Sequence, residues 1–109
     1  MAGVERVTET TVLVLRVLMA EMEPIWGLAV VKQTGKPTGT VYPILTRLEQ
    51  SGWLHAEWEA EGVRPGPRRR LYRLTAEGER EAERVVGIYD AKLAARPAPS
   101  RPQISGSTA

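Results

Sequence analysis

The chain has 109 residues, of which 42% are hydrophobic and 26% charged, with a formal net charge of +2 and no cysteine. This length predicts one modest domain. The missing cysteines exclude disulfide scaffolds and thiolate chemistry, and a single histidine, His55, argues against histidine metal clusters and Ser-His-Asp triads. We therefore expect no enzyme, metal or cofactor. Without a signal peptide or a run of ~20 apolar residues, a cytoplasmic protein with no membrane partner is expected.

The charge is unevenly distributed along the chain. Between Glu61 and Leu74, five arginines stand against one glutamate, a local charge of +4. The segment from Lys32 to Gln50 carries a further +2. Two basic segments indicate a surface for a polyanion, and a solvated arginine-rich loop is the alternative interpretation.

Two helices are predicted in the first third of the chain. Thr8 is a suitable N-cap for the first helix, whose apolar residues recur at helical spacing: Val12, Leu15, Leu18, Met19 and Met22. Pro24 ends this helix or starts the second, predicted over residues 25–34 with an apolar face of Ile25, Leu28, Ala29 and Val31. Gly27 within it predicts close packing against a neighbour, and Gly35 is placed to end it.

A third helix is predicted after the turn at residues 36–40, with Val41, Ile44, Leu45 and Leu48 on its inner face. Its start lies near Thr38–Thr40. With Thr40 as N-cap, Pro43 falls in the first turn, where its missing N–H is harmless. With Thr38 as N-cap, the helix loses one hydrogen bond. Gly52 is predicted to end the helix.

A β-hairpin is predicted next. Its first strand, within residues 53–60, places Leu54, Ala56 and Trp58 on one face, and its return strand starts in the run Arg68–Arg70. The two strands are joined by a loop rich in glycine and proline. The large aromatic residues of the hairpin are interpreted as core: Trp53, Trp58 and Tyr72.

Thr75 is predicted to cap a fourth helix with an apolar stripe of Ala82, Val85, Val86, Tyr89 and Leu93. We expect this stripe to have no partner within the chain once the first three helices have closed the core, and therefore to form a dimer interface. The segment 97–109, which is rich in proline, serine and glycine, is predicted to be disordered.

Three strings of residues carry a family resemblance: Trp26-Gly27-Leu28, the run from Pro37 to Leu45 followed by Leu48-Glu49 and Gly52, and Arg69-Arg70-Leu71-Tyr72 followed by Leu74-Thr75 and Gly78. In this order they resemble the PadR family of transcriptional regulators, over about residues 8–93. The resemblance implies a mainly α fold with a small β-hairpin. That fold divides into a winged helix-turn-helix over residues 1–74, a C-terminal dimerisation helix over 75–96, and the tail.

The resemblance also implies a homodimeric, repressor-like protein that binds double-stranded DNA at an inverted repeat. The third helix then enters the major groove with residues on or near its outer face and N-terminus: Thr38, Gly39, Thr40, Tyr42, Pro43 and Arg47. The hairpin wing reaches flanking DNA through Arg64, Arg68, Arg69 and Arg70. Some short family members bind aromatic or drug-like effectors between the C-terminal helices of the dimer. The last helix here contains no tryptophan, and an effector stays an open alternative.

A protein-interaction module is the alternative function, because winged helices also bind proteins. The basic wing, together with a helix start rich in threonine and glycine, favours DNA.

Overall fold

The computed structural model describes residues 7–95. It contains the four helices and the two hairpin strands in the predicted order, with one added short strand between the first two helices. The elements are α1 (Glu9–Ala20), β1 (Ile25–Trp26), α2 (Gly27–Thr34), α3 (Thr38–Gln50), β2 (Leu54–Trp58), β3 (Arg70–Leu74) and α4 (Ala76–Ala95). The predicted fold class, mainly α with a hairpin wing, is confirmed. None of the helices in residues 7–95 is both long and apolar enough to span a membrane.

The core lies where α1, α2 and α3 meet the sheet. α1 begins as predicted, since the Thr8 hydroxyl accepts a hydrogen bond of 3.1 Å from the backbone N–H of Thr11. The largest fully buried side chains come from the three helices: Leu15, Leu45, Leu48, Val14, Val30, Val41 and Thr11. A fully buried aliphatic side chain contributes about 1.5–3 kcal/mol. The packing of these helices is therefore the main source of the fold's stability.

The second helix starts later than predicted. Ile25 and Trp26, expected in its first turn, form β1 and pair antiparallel with Tyr72 and Leu71 of β3. A β-branched and an aromatic residue suit a strand. A two-residue strand has no periodic pattern, so only its partner strand identifies it. Gly35 ends α2 in the left-handed conformation, as predicted, with φ of 71°.

The helical face of α2 also differs from the predicted one. Val30 is fully buried, whereas Leu28, Ala29 and Val31 are half-buried. Ile25, counted in the predicted face, belongs to β1, and α2 turns Gly27 and Val30 toward the core.

The third helix starts earlier than either predicted alternative. Its N-cap is Pro37, whose carbonyl accepts hydrogen bonds of 3.0 Å from the N–H groups of Thr40 and Val41. Neither Thr38 nor Thr40 is the cap, and Pro43 is the sixth residue of the helix. The bond from residue 43 to the carbonyl of Gly39 therefore cannot form.

The end of α3 is as predicted. Gly52 has φ of 84°, in the left-handed region that favours glycine. Its N–H donates to the Glu49 carbonyl and the N–H of Trp53 donates to the Leu48 carbonyl, each at 3.0 Å. This pair of bonds turns the chain sharply from α3 into β2.

The sheet has the antiparallel order β1-β3-β2. Trp53 and Tyr72 are buried in the core, as predicted. Trp58 is not, and the prediction that it belongs to the core is wrong, because 56% of its surface is exposed. Only the first residues of β2 pack on the helices, and Trp58 lies at the outer end of the strand, opposite Arg70.

Helix α4 starts against the junction of α3 and β2. Thr75 is its N-cap, as predicted: the hydroxyl accepts a hydrogen bond of 2.9 Å from the Gly78 N–H and donates one of 2.8 Å to the Gly52 carbonyl. Gly78 is buried against the backbone of Trp53. These contacts fix the direction in which α4 leaves the sheet.

The first half of α4 shares the core of the winged helix. Ala82, Val85 and Val86 are buried and pack in the same cluster as the residues of α1. The expectation that the stripe has no partner within the chain is therefore wrong for these three residues, since α1 covers them. Arg16 of α1 also forms an ion pair with Asp90 of α4. The predicted disordered tail, residues 97–109, lies outside the described residues.

The close approach of α4 gives a test of the fold. In Gly78→Ala, the new Cβ would lie 2.0 Å from the Trp53 carbonyl oxygen, so the free energy of unfolding should fall by about 1–3 kcal/mol. Gly87→Ala on the same helix is the matched control, because its Cβ would meet no atom within 4 Å and alanine favours a helix by about 1 kcal/mol. Urea denaturation at one protomer concentration measures both. Equal stability of the two variants would contradict the packing.

Candidate nucleic-acid interface

The outer face of α3 is polar and exposed along its whole length. Val41, Ile44, Leu45 and Leu48 face inward as predicted. The residues on the opposite side are all exposed: Thr38, Gly39, Thr40, Pro43, Thr46, Arg47 and Gln50. Five of the six recognition-helix residues predicted from the sequence therefore lie together on one accessible surface.

Tyr42 is the exception among the predicted residues. It is half-buried and packs against the core. A Cβ added to Gly27 would lie 2.8 Å from Tyr42 Cε1 and 3.2 Å from Tyr72 Cε2. Tyr42 therefore lies at the edge of the outer face and not in its middle, since its ring fills the space that the missing side chain of Gly27 leaves. The close packing predicted for Gly27 is thereby confirmed.

Thr46 and Gln50 belong to the outer face but were missed from the sequence. Both are exposed, and with Gly39 and Pro43 they follow helical spacing along one side of α3. That spacing is the signal that could have identified them.

Arg47 is exposed, and its side chain makes no hydrogen bond or ion pair with other residues of the described range 7–95. A guanidinium that has no partner among the described residues can donate to phosphate oxygens or, bidentately, to guanine. Among the predicted recognition residues, Arg47 carries the only charge.

The wing arginines differ from one another in what they contact. Arg64, predicted to reach a groove from the wing tip, pairs instead with Glu59: its Nε lies 3.2 Å from Oε2, and its terminal nitrogen NH2 lies 3.1 Å from Oε1. Arg64 also donates to the carbonyls of Pro65 and Pro67, each at 3.1 Å. Its guanidinium is thus directed into the wing.

The guanidinium of Arg69 lies over an aromatic ring. Its Cζ is 3.7 Å from the centre of the Trp26 ring, which is a close cation–π contact. Its Nε is buried and has no hydrogen-bond partner in residues 7–95. Arg69 therefore joins the wing to β1.

Arg70 is held by β2 and by the end of α3. It lies 4.9 Å from the centre of the Trp58 ring, its cross-strand neighbour, and 3.5 Å from a carboxylate oxygen of Glu49. The neighbouring phenol of Tyr72 is buried, and burial raises its pKa above the usual 10.0, although Arg70 acts to lower that pKa. Tyr72 thus stays uncharged at neutral pH.

Arg68 differs from the other three predicted wing arginines in that its side chain has no partner within residues 7–95. It is exposed, precedes β3, and makes no hydrogen bond, ion pair or aromatic contact with the rest of residues 7–95. Of the four predicted wing arginines, it alone presents an uncommitted charge to solvent. Arg68 and Arg47 are thus the two predicted DNA-contact arginines whose guanidinium groups have no partner within residues 7–95.

A separate groove of about 370 Å³ lies between the end of α1, β3 and α4. Leu18, Met19, Met22 and Leu74 supply its apolar lining, and Glu21, Glu79, Glu83 and Arg73 its charges. Three acidic residues against one basic residue do not suit a polyanion. The outer face of α3 and the wing are therefore the better nucleic-acid surface.

Comparison with known sequences identifies the family. The pattern of the Transcriptional regulator PadR-like family matches residues 14–84. No functionally curated protein has a sequence that matches the chain. Among solved structures, a PadR family transcriptional regulator from Eggerthella lenta DSM 2243 is 36% identical with a TM-score of 0.59, and the match covers 75% of each chain.

Two further structures share the fold. The PcaV transcriptional regulator from Streptomyces coelicolor, in complex with its natural ligand, is 29% identical with a TM-score of 0.67; the match covers 83% of this chain and 60% of PcaV. MepR from S. aureus, solved as a DNA complex, is 22% identical with a TM-score of 0.61 over 80% of this chain and 68% of MepR.

The family pattern covers more than half of the chain and spans α2, α3 and the wing. It agrees with the winged-helix fold and with the resemblance carried by the sequence strings around Gly27, Tyr42 and Tyr72. It also confirms that the protein is a regulator and not an enzyme. The chain belongs to the PadR-like family of transcriptional regulators.

Proposed function

We propose that the protein is a homodimer that binds an inverted-repeat operator in double-stranded DNA and represses transcription. The observation that carries the proposal is the outer face of α3, which is exposed from Thr38 to Gln50 and stands beside a basic wing. A winged helix places this face in the major groove and its wing on the flanking backbone or minor groove.

The chemistry of the α3 face suits base recognition. Thr40 and Thr46 offer hydroxyl groups and methyl groups, which meet phosphates, base edges and thymine methyls. Gly39 has no side chain, and a Cβ there would meet no protein atom within 4 Å, so the helix backbone can approach the duplex closely. Arg47 supplies the bidentate donor that guanine accepts.

The second half of α4 supports the homodimer. Beyond the buried Val86, Ile88 is 46% exposed and Leu93 is 49% exposed, while Tyr89 is half-buried. Large apolar residues on one exposed helix suit an isologous two-fold contact. The residues Ala82, Val85 and Val86, also predicted at the interface, would support this contact from the core side.

The structures of relatives add support from outside the chain. MepR shares the fold and was solved with DNA, which supports a DNA-binding role for the equivalent surface here. The complex of PcaV with its natural ligand supports adding a small-molecule effector to the proposal. We place a regulator of this kind in the cytoplasm.

Selection of random duplexes by the purified full chain tests the function. We expect an inverted repeat whose half-sites lie ~10 bp, or a multiple of it, apart. Arg47→Ala should reduce the difference in binding free energy between operator and scrambled DNA by about 1–3 kcal/mol. Arg80→Ala removes the same charge from an exposed position on α4 and should leave that difference in binding free energy unchanged. If selection returns no sequence, or both variants behave alike, the protein-interaction function replaces this one.

The dimer is tested by its exposed apolar residues. Replacing both Ile88 and Leu93 by aspartate should give monomers in sedimentation at micromolar concentration, because two buried charges per protomer would oppose association. Val63→Asp changes an exposed apolar residue of the wing, 62% exposed, and should leave the dimer intact. A wild-type protein that sediments as a monomer would disprove the dimer.

A further inference from the structure

The carboxylate of Glu59 is the centre of the wing's internal contacts. It accepts two contacts from the Arg64 guanidinium, at 3.2 and 3.1 Å, and a hydrogen bond of 3.3 Å from the backbone N–H of Arg69. Only 14% of the Glu59 side chain is exposed. Glu59, at the start of the wing loop, thus contacts Arg64 in the middle of the loop and Arg69 at its end.

The loop is closed by further bonds around this carboxylate. The backbone N–H of Glu59 donates to the Arg69 carbonyl at 2.7 Å, just beyond the β2–β3 ladder. Arg64, paired with Glu59, also donates to the carbonyls of Pro65 and Pro67. All three nitrogens of the Arg64 guanidinium are therefore engaged within the loop, and four of its five N–H groups have an acceptor there.

The same loop is attached to the rest of the fold through Trp26. The guanidinium of Arg69 lies 3.7 Å from the centre of the Trp26 ring, and that of Arg64 lies 5.8 Å from it. Since Trp26 pairs with Leu71 in the sheet, the loop cannot swing independently of β1. A loop held at both its base and one side has few conformations to lose on binding.

Charge alone would make Glu59 unfavourable in a surface that meets DNA. A carboxylate repels phosphates, and its removal raises the net positive charge of the wing. Its burial and its three contacts indicate the opposite effect, because the wing depends on this carboxylate for its shape. The two effects differ in sign, so an experiment can separate them.

We propose that Glu59 is a positioning residue for DNA binding, which through Arg64 and the Arg69 backbone holds the wing so that Arg68 contacts the phosphate backbone. Arg64 and Arg69 are then parts of the scaffold, and Arg68 is the phosphate contact of the wing. The inference rests on the proposed function and assigns different roles to arginines that are adjacent in sequence.

Glu59→Gln separates positioning from charge. Loss of the carboxylate should weaken operator binding about tenfold, as expected for a lost hydrogen bond to a charged group. Glu61→Gln is the matched control: Glu61 is exposed in the same loop and makes no ion pair within residues 7–95, so its loss should leave binding equal or tighter. Tighter binding by Glu59→Gln, or equal effects of the two variants, would overturn the proposal.

The salt dependence of binding distinguishes the arginines. Each lost phosphate contact lowers the slope of log K against log salt by ~0.9, so Arg68→Gln in a dimer should lower it by nearly ~2. Arg64→Gln should weaken binding with the slope unchanged. The double variant of Glu59→Gln and Arg64→Gln should bind no more weakly than the weaker single variant. A reduced slope in Arg64→Gln would make Arg64 a phosphate contact and overturn its scaffold role.

Hydrogen exchange of the free protein gives a readout that does not need DNA. In Glu59→Gln, the amides of the wing loop, residues 60–69, should exchange faster, while those of α3 stay protected. Glu61→Gln should leave both unchanged. If the wild type binds no DNA but the wing loop of Glu59→Gln exchanges faster as expected, the proposed function fails and the structural role of Glu59 in the wing stands. Unchanged exchange in Glu59→Gln would show that Glu59 does not hold the wing loop in place.

Discussion

The burial of one face of α3 is the constraint that determines which residues of this helix form the candidate recognition surface. Val41 and Leu45 are fully buried, and Ile44 and Leu48 nearly so. At 3.6 residues per turn, four buried positions fix the rotation of the helix about its axis. The residues from Gly39 to Gln50 on the other side must then face solvent. The candidate recognition surface is thus a consequence of how the core is packed.

The approach of α2 to α3 adds to this constraint. At Gly27 the ring of Tyr42 occupies the place of a side chain, with the ring of Tyr72 on its other side. An aromatic residue that could have stood on the outer face is thereby drawn into the packing. The outer face keeps threonine, glycine, proline, glutamine and one arginine, and at Gly39 the backbone is accessible.

Charge composition and available charge are different quantities in the wing. Five arginines between residues 61 and 74 suggest a uniformly basic arm. Glu59 and Glu49 lie outside residues 61–74 in the sequence, but in the folded protein they form ion pairs with Arg64 and Arg70. Trp26 covers Arg69 in the same way. The folded wing thus offers fewer free charges than its sequence contains, and it offers them in a defined geometry.

What could be predicted from the sequence was what depends on neighbours along the chain. The caps at Thr8 and Thr75, the stop at Gly52 and the inner face of α3 follow from local hydrogen bonding and helical spacing. The strand β1, the exposure of Trp58 and the partners of Arg69 and Arg70 could not be predicted, because each depends on a residue distant in sequence. The partners of Arg64 are near in sequence, but they depend on how the wing loop folds back on itself. Ile25 pairs with Tyr72, for example, and Arg70 with Glu49. Most of the α3 face was predictable because it follows from helical spacing. The different roles of the wing arginines were not predictable, because they depend on contacts made only in the folded wing.

Helix α4 connects the recognition surface to the proposed dimer contact. Its start is bound by Thr75 and Gly78 to the point where α3 ends and β2 begins. Its first half is packed against α1, and its second half exposes Ile88 and Leu93. A 20-residue helix is about 30 Å long and behaves as a rigid rod when one half is buried. Since the start and the first half of α4 are fixed by packing, the angle at which two copies of α4 cross in the proposed dimer would set the separation of the two α3 helices. The spacing of the operator half-sites would then be determined by the packing at Gly78 and Val86 as much as by any residue that touches DNA.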